Sequence, residues 1–96
     1  MKVRYTPRAF SDLEDIRSYI AQFSPQGAGR VVAVIEKLAA RLADLPDSGQ
    51  PFPDLEARVL FSTRYPYRIY YRVRGDEVSV LHIRHAARKP VEPGDV

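Results

Sequence analysis

Apolar and polar positions alternate strictly along residues 67–74. Ile69, Tyr71 and Val73 fall on one side, and Arg68, Tyr70, Arg72 and Arg74 on the other. A period of two marks a strand with one buried face. The pattern therefore predicts a strand over Tyr67–Arg74 whose Ile69, Tyr71 and Val73 face a core. Gly75-Asp76 suits a tight hairpin turn. The return run, Glu77–His85, contains Val78-Ser79-Val80-Leu81-His82-Ile83 and is apolar on both sides, as a central strand is.

Upstream the period lengthens to that of a helix. Phe10, Leu13, Ile16, Ile20 and Phe23 recur at helical spacing with Tyr19 beside them, and Asp12, Glu14, Asp15 and Arg17 fill the outer face. Thr6 is a good N-cap, and Pro7 follows where its missing N–H costs nothing, so the first helix is predicted over 7–23. Ser24-Pro25 repeats the signal. Ala28, Val31, Val32, Ile35, Leu38, Ala39, Leu42 and Leu45 then carry a second helix over 25–45, stopped by Pro46. A join this short predicts an antiparallel helical hairpin. Lys2–Tyr5 reads as a short strand, Asp47–Pro53 as a loop, and 54–61 as a strand reaching the central hairpin through Ser62-Thr63-Arg64. The order is β-α-α-β-β-β. It predicts an α+β fold, an antiparallel sheet covered on one face by an αα-hairpin. The other face is expected to be partly open and to carry Arg68, Tyr70 and Arg72.

Composition narrows the chemistry. The 96 residues fit one domain, expected over 1–90, with 91–96 as a mobile tail. The net charge of +3 and the sequence pI of 9.4 point mildly to a polyanion. The absence of cysteine excludes disulfides, thiolate metal sites and cysteine nucleophiles. No apolar run approaches the roughly 20 residues that span a bilayer, and the N-terminus lacks a signal-peptide pattern, so a cytoplasmic protein is expected. Gly27 and Gly29 belong to the second helix's first turn rather than to a phosphate loop, so nucleotide hydrolysis is not expected.

The candidate site is a basic tip. Arg84, His85, Arg88 and Lys89 follow one another at the end of the last strand. Arg68 and Arg72, about 13 Å apart by strand rise, extend the charge onto the sheet. Guanidinium forks suit phosphates and carboxylates alike. His82, inside the apolar run, reads as a hydrogen-bonded structural histidine. His85 is the candidate base, with neighbouring cations favouring a neutral imidazole. The two histidines diverge on a strand and no carboxylate adjoins them in sequence, so no metal site or other cofactor is expected. Asp12, Glu14 and Asp15 read as a solvated helix face.

Four segments carry a family resemblance: the strand leading into TPRAFSDLEDI, the LAARLADLPDSGQPFPDL exit of the second helix, the YRIYYRV strand, and the ending VSVLHIRHAARKP. In this order and spacing, residues 1 to about 90 resemble the RelE/ParE superfamily, the toxin half of bacterial type II toxin–antitoxin modules. The resemblance implies a growth-inhibiting toxin neutralised by a cognate antitoxin that wraps it. ParE-like members, of the plasmid-stabilisation type, poison DNA gyrase without catalysis. RelE-like members cut messenger RNA on the ribosome. The VLHIR ending and long helices look ParE-like. No tyrosine follows Tyr71, and residues 47–58 contain no lysine, both departures from the nuclease pattern. A gyrase-binding toxin is therefore expected, with Arg68, Tyr70, Arg72, Arg84, Arg88 and Lys89 contacting target or antitoxin. The alternative is a ribosome-dependent endoribonuclease using Arg68, Arg84, His85 and Arg88.

Overall fold

The computed structural model describes residues 1–95. In chain order it contains β1 (Lys2–Tyr5), α1 (Pro7–Ala21), α2 (Pro25–Arg41), β2 (Gln50–Phe52), a 3₁₀ turn (Pro53–Leu55), β3 (Ala57–Phe61), β4 (Tyr67–Arg74) and β5 (Glu77–His85), with a second 3₁₀ turn at Pro93–Asp95. The predicted caps form. Thr6 Oγ1 accepts the Ala9 N–H at 3.1 Å, and Ser24 Oγ accepts the Gly27 N–H at 2.9 Å, each just ahead of a proline at the first helical position. Among the described residues no helix is long and apolar enough to cross a membrane.

The α+β fold is as expected, two helices on a sheet, but the sheet is five-stranded and mixed. Its order is β1-β5-β4-β3-β2. The β5–β4, β4–β3 and β3–β2 pairs are antiparallel, whereas β1 lies parallel to β5. An even number of chain reversals separates β1 from β5, so docking β1 on that edge leaves the two running the same way. Residues 50–52, read as loop, add β2 as the outer strand on β3. Pro51 within it and Pro53 just beyond hid this strand, which survives because it is an edge and has one neighbour only.

The helices cover one sheet face. Ala9 and Leu13 of α1 and Val31, Val32, Ile35 and Ala39 of α2 pack on Ile69, Val80 and Ile83. Leu42, just past α2, closes over Tyr71 and Val78. Beyond Arg41 the chain tightens to i→i−3 bonds, Leu42 N–H to Ala39 and Ala43 N–H to Ala40, which is why the apolar period outlasts the α-helix. Phe10 and Phe23 were expected inside and are 60% and 75% exposed. The buried stripe of α1 runs through Ala9 instead, whose small side chain brings the helix close and rotates Phe10 outward.

The second face is covered rather than open. Tyr70, expected at the surface, is 1% exposed beneath Leu55, Val59, Leu81 and Val91, with Phe52 edge-on at 5.8 Å. Val91, placed by the sequence in a mobile tail, is 2% exposed, and its N–H donates to the Tyr70 hydroxyl at 3.3 Å. A bulge in β5 makes this possible. Tyr70 pairs with His82 but Tyr71 pairs with Val80, so Leu81 is an extra residue turned to the second face.

Candidate functional site at the basic tip

At the end of β5 the chain folds back in a tight turn. The Arg88 N–H donates to the His85 carbonyl at 3.0 Å, and the Ala86 N–H to Pro66 at 2.6 Å. Arginines hold the returning segment. Arg68 Nη1 donates to the Ala86 carbonyl at 2.9 Å and to Arg88 at 3.5 Å, while its guanidinium sits 5.9 Å from the centre of the Phe61 ring. Arg84, its cross-strand neighbour, donates to the Lys89 carbonyl at 3.1 Å. Arg72 works on a different loop, donating to the carbonyls of Leu55 at 2.5 Å and Glu56 at 3.1 Å. Glu56 adopts a left-handed conformation (φ 50°, ψ 45°), and Arg72 pins its carbonyl there. Three of the arginines read as ligand contacts thus bind the protein's own backbone. Arg88 and Lys89 are exposed, and Lys89 pairs with Glu92 at 3.0 Å.

His85 lies half-buried on the helix side. Its Nδ1 accepts the Ala87 N–H at 3.0 Å, and its ring meets Tyr67 edge-on at 5.2 Å. A neutral imidazole accepting at Nδ1 carries its proton on Nε2, which then donates rather than accepts. Burial pushes the Tyr67 hydroxyl above its ordinary pKa, keeping it protonated.

A cleft of about 500 Å³ opens between α1 and this tip. Ile16, Tyr19, Tyr67 and Ile83 give it an apolar floor, Arg84, His85 and Arg88 one charged wall, and Asp12 and Asp15 the other. The sequence placed Arg84, His85 and Arg88 together. Asp12, Asp15, Tyr19 and Tyr67 join them only through the fold. Arg68, Tyr70 and Arg72 line no part of the cleft; they serve the second face.

Asp12 is not the solvated carboxylate expected. It accepts the Ile83 N–H at 3.1 Å, pairs with Arg8 at 3.1 Å, and lies 3.3 Å from His82 Nδ1. His82 is 1% exposed, a structural histidine as its apolar surroundings suggested. Asp12 thus occupies a sheet edge that β1 is too short to cover. Its position one turn ahead of Ile16 on the inner flank of α1 was the available signal.

Comparison with known proteins follows the same outline. The family model described as ParE toxin of type II toxin-antitoxin system, parDE, matches residues 3–90. A curated relative, Toxin RelE2 of Caulobacter vibrioides, is 40% identical over 87 residues, spanning 91% of this chain and 97% of its own. A solved structure titled chromosomal ParDE TA system from P. aeruginosa superposes with a TM-score of 0.78 at 27% identity, over 88% of this chain and 95% of the other. A YoeB/ParE toxin from Agrobacterium tumefaciens shares the fold, with a TM-score of 0.51 at 21% identity over 88% and 98% of the two chains.

Proposed function

Because the chain belongs to the ParE toxin family of type II toxin–antitoxin systems, we propose that it inhibits growth by binding DNA gyrase, not by cutting RNA, and that a cognate antitoxin neutralises it. The observation that carries this reading is how the arginines are used. Arg68, Arg72 and Arg84 donate to carbonyls at 2.5–3.5 Å, and the sheet face they occupy is covered by the chain's own segments. Phosphoryl chemistry needs preorganised cations aimed at the scissile phosphate together with an acid and a base. Here the Arg68, Arg72 and Arg84 guanidiniums hold backbone, and His85 Nδ1 is taken up by the Ala87 N–H.

The ribosome-dependent reading keeps one specific support. The cleft gathers His85, Arg84 and Arg88 with Asp15, and a relative bears the name RelE2. Two assays separate the readings. Purified protein is expected to inhibit gyrase supercoiling and to leave ribosome-bound messages intact. His85→Ala is expected to keep its toxicity in growing cells. Message cleavage by the wild-type protein that disappears in His85→Ala would sink the gyrase reading.

A further inference from the structure

The outward face of α2 carries a row of cations that the fold leaves unused. The buried residues Ala28, Val31, Val32, Ile35 and Ala39 form one side of this helix. At about 100° per residue, Arg30, Lys37 and Arg41 fall within about 40° of one another on the opposite side. All three are exposed. At a rise of about 1.5 Å per residue the row is about 16 Å long, with steps of about 10 Å and 6 Å. Six other cations have carboxylate partners, Arg4 with Glu77 at 3.2 Å and Arg17 with Glu14 at 3.4 Å among them. The side chains of Arg30, Lys37 and Arg41 have none among the described residues. Glu36 is the only acid of α2, and its charge acts on Tyr5, off the row on the flank towards β1. The helix C-terminus favours a cation and would account for Arg41 alone, but not for Arg30 near the other end. Beside the row, Gly29, Ala33 and Ala40 are exposed and carry nothing beyond Cβ. No atom lies within 4 Å of a Cβ built on Gly29.

We propose that this face of α2 is a docking surface for duplex DNA, held through phosphates and without base readout. Cations fixed along a rigid helix suit a polyanion whose charges are themselves fixed in space. B-DNA separates its phosphate rows by grooves about 6 Å and 12 Å wide, close to the two steps of the row. The small residues at Gly29, Ala33 and Ala40 let a phosphate backbone approach the helix, so that three long side chains reach it from one side. A flexible acidic chain gains nothing from a rigid row and finds the basic tip at Arg84, Arg88 and Lys89 as good. Phosphate contacts fix position and carry no sequence information. The net charge of +3 adds a long-range attraction to any stretch of duplex. A toxin acting on gyrase would be held by this contact on the DNA its target works on. That role rests on the function proposed above, whereas the DNA binding itself does not.

The test uses the full chain and a fluorescent duplex of mixed sequence about two helical turns long, followed by anisotropy from about 50 to 200 mM salt. The wild type is expected to bind with a dissociation constant of about 10⁻⁴–10⁻⁶ M, the non-specific range. Replacing the row, Arg30→Gln, Lys37→Gln and Arg41→Gln together, is expected to weaken binding by more than about tenfold at low salt. It should also reduce the slope of log affinity against log salt by about 2–3, three phosphate contacts at about 0.9 each. Lys2→Gln, Arg4→Gln and Arg74→Gln together make the same change in net charge, from +3 to 0, and are expected to stay within about threefold, since distant charges are screened. Glutamine keeps the helix propensity of arginine and lysine, so α2 is expected to survive. If the row variant does not fold, amide shifts of the wild type on the duplex decide alone, and they are expected across residues 29–41 rather than 84–89. Shifts confined to 84–89, equal loss in the two triple variants, or equal binding of the single strand or of polyglutamate overturns the proposal. DNA binding is measured without gyrase, so either reading can fail and leave the other standing.

Discussion

Gly49 is the most tightly enclosed of the five glycines, and replacing it with alanine tests how the loop after α2 is held. The Tyr71 hydroxyl donates to the Pro46 carbonyl and accepts the Gly49 N–H, both at 2.8 Å. Arg58 Nη1 reaches the carbonyls of Gly49 at 2.8 Å and Asp47 at 3.2 Å. A Cβ on Gly49 would lie 2.7 Å from Tyr71 Cε1 and from its hydroxyl oxygen, and 2.9 Å from the Val59 carbonyl oxygen. Neither neighbour can retreat. Tyr71 is fully buried against Leu42 and Val78, and Val59 pairs within the sheet with both Gln50 and Tyr70. Overpacking of this kind costs about 1–3 kcal/mol. Forcing the loop outward also strands a buried N–H, for about 1–3 kcal/mol more. The stiffer unfolded chain returns about 0.4–1 kcal/mol. Gly49→Ala should therefore lose about 1–5 kcal/mol net, out of roughly 5–14 kcal/mol for a domain of this size. Equilibrium urea melts read this directly, as a midpoint lowered by about 0.5–2.5 M at a slope of about 2 kcal/mol/M. Gly29→Ala is the control. No atom lies within 4 Å of its Cβ in α2, and alanine there should gain about 0.5–1 kcal/mol. A loss below about 0.5 kcal/mol for Gly49→Ala would refute the claim that Tyr71 and Val59 fix the loop.

Other perturbations probe the core, the covered edge and pH. Ile69→Ala, at a side chain buried on the helix side, should cost about 2–5 kcal/mol in the same melts; a near-neutral result would mean β4 presents its other face to the helices. Asp12→Ala should cost about 1–3 kcal/mol, and the Ile83 amide, now bonded to Asp12, should exchange faster by NMR; unchanged exchange would show that the carboxylate does not guard the edge. Burial raises the pKa of Tyr67 above 10.0, and burial followed by Glu36 raises that of Tyr5. With the folded values above the unfolded one, the unfolded state loses its protons first as pH rises. Stability from these groups is thus complete below about pH 10 and lost above it. Tyr67→Phe should flatten the decline in urea midpoint between about pH 9 and pH 11; an unchanged slope would count against it.

Local signals determined the helices and the orientation of the central strand. Thr6-Pro7 and Ser24-Pro25 start both helices because a cap and a fixed φ act within a few residues. The alternation at Ile69, Tyr71 and Val73 gave the right inner face because a strand's side-chain period does not depend on its partners. The run of Arg84, His85 and Arg88 was legible as a tip because these residues are neighbours in the chain. Tertiary structure decided everything that depends on which edges meet. β1 became a parallel strand, and Pro51 did not stop β2 from pairing along β3. The bulge at Leu81 and the returning segment at Val91 turned an expected arginine-bearing surface into a second small core over Tyr70. Arg68, Arg72 and Arg84 carry the same charge in any fold, but only the backbone around them decides that they hold carbonyls. Asp12 looked like any solvated carboxylate until β1 ended at Tyr5 and left the Ile83 N–H needing an acceptor. Burial of a polar backbone is settled by long-range pairing, and no periodicity along the chain records it.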